Sequence, residues 1–207
     1  MIKQSILLFP FWVLLFLILT GCATLEKNYP ERNYYILSVS NNNHKSSSDS
    51  GTILEIRGFE TSPSFGSREF VYKIGDLSYV SDFYNQFFRP PGQLITEQVR
   101  KWFSESGLFK NVVDPSNNVE PDYTLEGNVS ELYGDFRSSN TPKAVLGIQF
   151  FLISKNSKIL FQNNYREEIV LNSNSPQDLA NGWNEALEQI LTALAGDLKN
   201  VDFKASQ

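Results

Sequence analysis

Cysteine and histidine are almost missing from the chain: one of each in 207 residues. One Cys and one His cannot supply a disulfide, the ligands of a zinc site or a Cys/His catalytic pair. Basic residues are also in short supply. Lys and Arg number 18 against 23 Asp and Glu, a net charge of -5, which argues against a nucleic-acid partner because phosphate binding needs a basic face. No Gly-rich phosphate loop followed by Lys occurs, nor a Gly-x-Ser-x-Gly elbow, a Ser-x-x-Lys or a His-Glu-x-x-His. Acidic pairs such as Glu167 with Glu168, or Glu126 with Glu131, could in principle do general acid/base work. Among 23 acids they read first as a solvated face. His44 sits in a polar, low-complexity loop and reads as solvated too. The sequence therefore offers no catalytic constellation, no metal site and no cofactor motif, and it reads as a non-enzyme.

What is present is uneven. The chain is 41% hydrophobic, but residues 1–21 alone hold 15 apolar residues against one charge, Lys3. Residues 6–19 form an unbroken apolar stretch without a charge. A spanning helix wants about 20 apolar residues, whereas a secretory signal has a positive start, an apolar core of about 7 to 15 and small residues at its end. Residues 1–21 read as a signal peptide, with an uncleaved short anchor as the alternative. The segment ends Leu19-Thr20-Gly21-Cys22, which resembles the lipobox of bacterial lipoproteins. That resemblance implies a diacylglyceryl group on the Cys22 sulfur, cleavage before Cys22 and an N-acyl chain on the new amino terminus. A buried free Cys is the plainer alternative. At about 0.8 kcal/mol per buried CH₂, several acyl chains hold a protein to a bilayer far more firmly than one. Ala23, where Asp tends to retain lipoproteins in the inner membrane, implies by resemblance the periplasmic face of the outer membrane.

Three segments result: the signal peptide at 1–21, lipidated Cys22 with a polar tether over 22–33, and one domain over 34–203. Residues 34–39 and 52–59 read as strands. A hairpin follows, with strands 69–74 and 77–80 about a turn at Gly75-Asp76. From Pro91 the period becomes helical, with Leu94, Ile95, Val99, Trp102 and Phe103 on one stripe and Gly107 as the cap. Residues 108–113, 123–133, 144–154 and 158–171 read as strands, the last two joined by a turn at 154–158. The strand 144–154 is apolar on both faces and so reads as central and covered on both sides. Ser175 caps a last helix, with Pro176 at its first position and Asp178 placed for a capping box. Its stripe runs Leu179, Trp183, Ala186, Leu187, Ile190, Leu194, Leu198. Gly182 and Gly196 weaken it by about 1 kcal/mol each relative to Ala. The fold class expected is α/β: a single layered domain, a mixed and mostly antiparallel sheet packed against two long helices.

The order of features carries a second resemblance. The lipobox is followed by Tyr34-Tyr35-Ile36-Leu37, a hairpin with Val71-Tyr72-Lys73, and Tyr84-Asn85-Gln86-Phe87-Phe88-Arg89-Pro90-Pro91 opening a helix that ends Ser106-Gly107-Leu108-Phe109. This is similar to the ABC-type transport auxiliary lipoproteins, which accompany Pqi-like and Mla-like lipid transport systems built on MCE proteins. Two positions depart from that family: Lys73 stands where Arg is usual and Phe87 where Trp is usual. The resemblance implies a partner among MCE-domain proteins or ABC transporter subunits, with Tyr34, Tyr35, Tyr72, Phe87, Arg89 and Pro90 as candidate contact residues; the plainer reading of Tyr34, Tyr35, Tyr72, Phe87, Pro90 and Pro91 is that they pack the core and begin a helix. It implies membrane attachment through the lipid, no cofactor beyond the acyl groups on Cys22, and room for a homo-oligomer. The alternative function is an envelope assembly or cell-wall accessory lipoprotein that regulates a periplasmic enzyme. Five aromatics between Tyr79 and Phe88 suggest an exposed contact patch there.

Overall fold

The end signals of the two helices act as they read. In a computed structural model that describes residues 31–41, 51–201 and 203, α1 spans Pro91–Ser106 and closes on Gly107. The Gly107 φ of 68° lies in the left-handed region that favours glycine. α2 spans Pro176–Leu198, and the Ser175 hydroxyl accepts the Asp178 amide. The capping box is not closed directly: Ser173 Oγ stands between its halves, donating to the Asp178 carboxylate and accepting the Ser175 N–H. The signal segment, Cys22, the tether as far as Pro30 and the loop holding His44 lie outside the described residues.

The strands are β1 (Asn33–Tyr35), β2 (Ile53–Ile56), β3 (Glu60–Thr61), β4 (Glu69–Lys73), β5 (Tyr79–Phe87), β6 (Asn111–Val113), β7 (Tyr123–Asp135), β8 (Lys143–Ser154) and β9 (Ile159–Val170). β7 is the spine of the sheet. One of its edges pairs antiparallel with β8 from Tyr123 to Asp135. The other is shared end to end by β2, β3 and β4, all parallel to it. β9 extends the sheet beyond β8, β6 lies beyond β2, and β5 then β1 lie beyond β4. The antiparallel ladders β4–β5, β7–β8 and β8–β9 are the long ones, whereas each parallel ladder spans two or three residue pairs. The sheet is therefore mixed and mostly antiparallel. With two helices packed on it, the α/β class expected from the sequence holds.

Several strands are shorter than their apolar patterns suggest, and in each case a side chain takes the backbone. β1 pairs only as far as Tyr35. Beyond it Leu37 and Val39 still point inward and are buried. Their backbone is held by the helices, with the Ser38 and Val39 amides donating to Asn184 Oδ1 and Gln98 Oε1 at 2.9 and 3.1 Å. The run 52–59 breaks after Ile56, where the Phe59 amide donates to Thr96 Oγ1 of α1 at 2.9 Å. The Phe59 ring lies against the backbone of Gly127, where a Cβ would come within 2.3 Å of it. Of 108–113 only the last three residues join the ladder, although Leu108 and Phe109 are buried.

Both helices lie over one face. Trp183 is fully buried there, with ring centroids 4.8 Å from Phe70 and 5.2 Å from Phe87, and its indole N–H donates to the Val145 carbonyl at 3.2 Å. Beside it Gly182 lets α2 approach the sheet: a Cβ there would lie 2.6 Å from Leu171 Cδ2 and 2.7 Å from Ala144 Cβ. The opposite face corrects the reading of β8 as covered on both sides. Val145 is buried there under Val71, Tyr133 and Phe65, but Phe151 and Ile153 are only half-buried. Further along that face run ion pairs, Lys143–Glu168–Arg166–Glu131 and Arg57–Glu126.

Candidate functional site: the β4–β5 hairpin and its aromatic bulge

Tyr84 to Phe87, which the Pro-Pro pair makes look like the opening of a helix, belong to the second half of β5. The ladder with β4 skips there. Glu69 pairs with Gln86 but Phe70 with Asp82, so Phe83, Tyr84 and Asn85 have no counterpart on β4. Such a bulge bends the strand and re-aims its side chains. Asp82 holds it. Its Oδ1 accepts the amides of Tyr84 and Asn85 at 2.9 and 3.1 Å, and its Oδ2 accepts the Tyr72 hydroxyl at 2.8 Å and Asn85 Nδ2 at 2.7 Å. Asn85 Oδ1 in turn accepts from Tyr35 Oη and Asn33 Nδ2, so three strands are tied to the bulge.

Burial pushes the Asp82 carboxyl up, but hydrogen bonds from Asn85, Tyr72 and the two amides outweigh it and leave it below the ordinary aspartate value. Burial, together with the hydrogen bond to Asp82, pushes the Tyr72 phenol well above its ordinary range. Burial and the Asp82 charge raise Tyr35 as well. These groups are locked in one protonation state near neutrality, which suits a structural brace.

What the brace displays is apolar. Phe83 and Phe88 are 54% and 60% exposed, and Tyr34, Ile36 and Tyr84 are also exposed. Phe83 and Tyr84 meet edge to face at 5.4 Å, and Tyr34 and Phe88 at 6.2 Å. Arginines cover them: Arg32 lies 3.9 Å over the Phe83 ring and Arg68 5.3 Å over Tyr34. The hairpin turn lies at the other end of β5. It is later than the sequence suggests. Ser78 and Gly75 close it, so Asp76 and Leu77 form its apex, and Leu77 is 96% exposed.

The residues singled out from the sequence divide accordingly. Tyr34, Arg89 and Pro90 are exposed; Pro90 caps α1 and Arg89 faces Glu97 at 3.7 Å. Tyr35 and Tyr72 are half-buried, the first packed on Phe70 and the second stacked on Phe136. Phe87 is 2% exposed and lies between Phe70 and Trp183. It is a core residue, as the plainer reading has it, which corrects its place among the candidate contact residues and in the exposed Tyr79–Phe88 patch. Asp82 and Asn85 were missed. The signal for them was an Asp and an Asn three apart inside an aromatic run, where such side chains compete with the ladder for the backbone.

The fold has known counterparts. The crystal structure of protein XCC0632 from Xanthomonas campestris, of family DUF330, matches with a TM-score of 0.71 at 16% identity, over 79% of this chain and 93% of that one. A crystal structure of an uncharacterised protein matches with a TM-score of 0.65 at 16% identity, over 81% of this chain and 99% of the other. At these identities the likeness is one of fold alone. No family model matches the chain, and no curated protein is similar to it.

Outside the hairpin, the acids considered for general acid/base work are mostly engaged. Glu126 pairs with Arg57, Glu131 with Arg166, and Glu168 with both Lys143 and Arg166. Glu167 lines an open groove with Glu185 and Glu188. Among the described residues no group of three or more His, Cys, Asp or Glu side chains is placed to hold a metal ion. No helix among them is long and apolar enough to cross a membrane.

Proposed function

We propose that the protein is a non-enzymatic outer-membrane lipoprotein, anchored through acyl groups on Cys22 and facing the periplasm. It serves as an auxiliary component of an ABC/MCE-type lipid transport system and links the transporter to the outer membrane. The observation that carries this reading is the Asp82 bulge. A buried-side network of Asp82, Asn85, Tyr72 and Tyr35 holds Phe83 and Tyr84 outward in water, and a rigidly displayed aromatic and arginine surface is what protein contacts favour. The order of motifs from the lipobox to the Pro-Pro helix start supports the transport assignment. Tethering supports the docking role, because an anchored domain meets its partner at raised effective concentration.

A photo-crosslinking residue at Phe83 or Tyr84 in intact cells tests the proposal. Capture of a transporter permease or an MCE-domain protein is expected. Capture of cell-wall synthases alone would instead favour the accessory-lipoprotein reading. A crosslink between two copies would assign the patch to self-association.

A further inference from the structure

The hairpin apex has chemistry that the docking role leaves unused. Leu77 is 96% exposed and Ile74 53%, with Tyr79 and Val80 also exposed behind them. The apex is not a loose loop. The Ile74 and Gly75 amides both donate to the Ser78 carbonyl, at 3.0 and 3.3 Å. Arg137 bridges the turn to the end of β7, 2.9 Å from Asp76 Oδ1 and 2.7 Å from Asp135 Oδ2. The one carboxylate of the turn thus brings its own counter-ion, and Lys73, 5.6 Å from the Tyr79 ring centroid, adds a cation just behind the apex. A leucine at the tip, a tyrosine behind it and a cation at its level is the composition of a segment that enters the headgroup layer of a bilayer.

β1 runs parallel to β5, with Asn33 opposite Asn85 and Arg32 over Phe83, so the chain enters β1 from the side of the hairpin apex. From the level of Asn85 back to Leu77 is about 20 Å along the strand once the bulge is discounted. Cys22 is eleven residues before Asn33, a span of at most about 36 to 40 Å. The tether is long enough for the acyl chains on Cys22 and the apex to lie in one bilayer surface.

We propose that the β4–β5 apex, led by Leu77 and Ile74, inserts into the headgroup layer of the phospholipid surface that holds the acyl chains. It acts as a second foot that fixes the orientation of the domain. The proposal rests on the lipid-anchor reading above. It leaves the bulge surface, set back from the apex, free for a protein partner.

The full-length protein, processed in a bacterial host and reconstituted into vesicles of phosphatidylethanolamine and phosphatidylglycerol, tests it. Leu77→Cys and Ser157→Cys each carry an environment-sensitive dye. Ser157 is exposed in the β8–β9 turn, at the opposite end of β7 from the hairpin. Both positions face solvent, so neither change threatens folding. The expected result is a blue shift at position 77 and strong quenching there by doxyl-labelled lipid, with neither at 157 and neither without vesicles. Vesicle-bound protein whose two labels both stay in water overturns the foot alone. A blue shift at 77 that grows with protein concentration in the absence of lipid overturns it in favour of a second copy on the apex. The mass of the Cys22 peptide is read in parallel: an unmodified thiol sinks the anchor and the foot together.

Discussion

Gly182 and Gly196 sit on the same helix and look alike in the sequence, each a weak point for helix propensity. Their surroundings separate them. A Cβ at Gly182 meets Ala144 Cβ at 2.7 Å, which cannot swing away as a long side chain could, whereas a Cβ at Gly196 meets nothing within 4 Å. Gly196→Ala is therefore expected to stabilise the protein by up to about 1 kcal/mol through propensity alone. Gly182→Ala gains the same propensity but overpacks the helix–sheet seam, at a cost of about 1 to 3 kcal/mol, so it should be neutral to destabilising. Denaturant midpoints of the two variants check this, and a stabilised Gly182→Ala would mean that α2 does not press on β8 as described. At this scale the sequence was a partial guide. The stripe on α2 is legible because period and caps are local, but which glycine is a defect and which a contact depends on Ala144 and Leu171, whose proximity comes only with the fold. Phe87 teaches the same point. Its place in an aromatic run suggested a surface, and the alternation of β5 turns it inward onto Trp183.

Among the elements, β5 departs furthest from its pattern. Residues 69–80 predict a hairpin and a hairpin forms, yet the strand continues to Phe87 and carries a three-residue bulge. Nothing in the period announces it, since the bulge is made by one side chain accepting backbone amides. Elsewhere too the unreadable boundaries are those set from a distance: β1 stops where Gln98 and Asn184 take over its amides, and β2 where Thr96 takes the amide of Phe59. The bulge makes a sharp prediction. Tyr72→Phe removes one of the four hydrogen bonds to Asp82 and should cost about 1 kcal/mol. Asp82→Ala should cost more and allow Phe83 and Tyr84 to relax toward the ladder, seen as lost crosslinking from those positions. The pH dependence follows from the sign of the shift. Asp82 has a lowered pKa in the folded protein, so its contribution to stability is complete above the ordinary carboxylate value of about 3.9. That contribution is lost as pH falls through the lower folded value. Asp82→Asn should flatten the stability profile in that acid window and leave its slope near neutrality unchanged. A profile identical to that of the unaltered protein below the ordinary carboxylate value of about 3.9 would argue against the brace.

For the whole molecule, the decisive division is between the proposed anchor and the domain. Residues from Arg32 to Gln207 form one compact unit, and the buried residues of the main core, from Leu37 to Leu198, all belong to it. A chain of that size buries about 70% of the surface it exposes when unfolded, enough to stand without a disulfide. On the proposed anchor reading, acyl groups on Cys22 are expected to add location and no folding energy, since the buried core from Leu37 to Leu198 closes within the domain itself. Secreting residues 23–207 behind an ordinary cleavable signal separates the two roles. The domain should appear in the periplasmic fraction with the thermal midpoint of the lipidated protein, because its sheet, both helices and the Asp82 brace are intact. If the proposed role holds, it should fail to support transport, because neither the acyl chains nor the hairpin apex would be held at the bilayer. A lowered midpoint would place part of the folding energy in the lipidated Cys22 and refute that division. Full activity without the anchor would show that docking needs only the folded surface, and would move the search for function to the aromatic bulge alone.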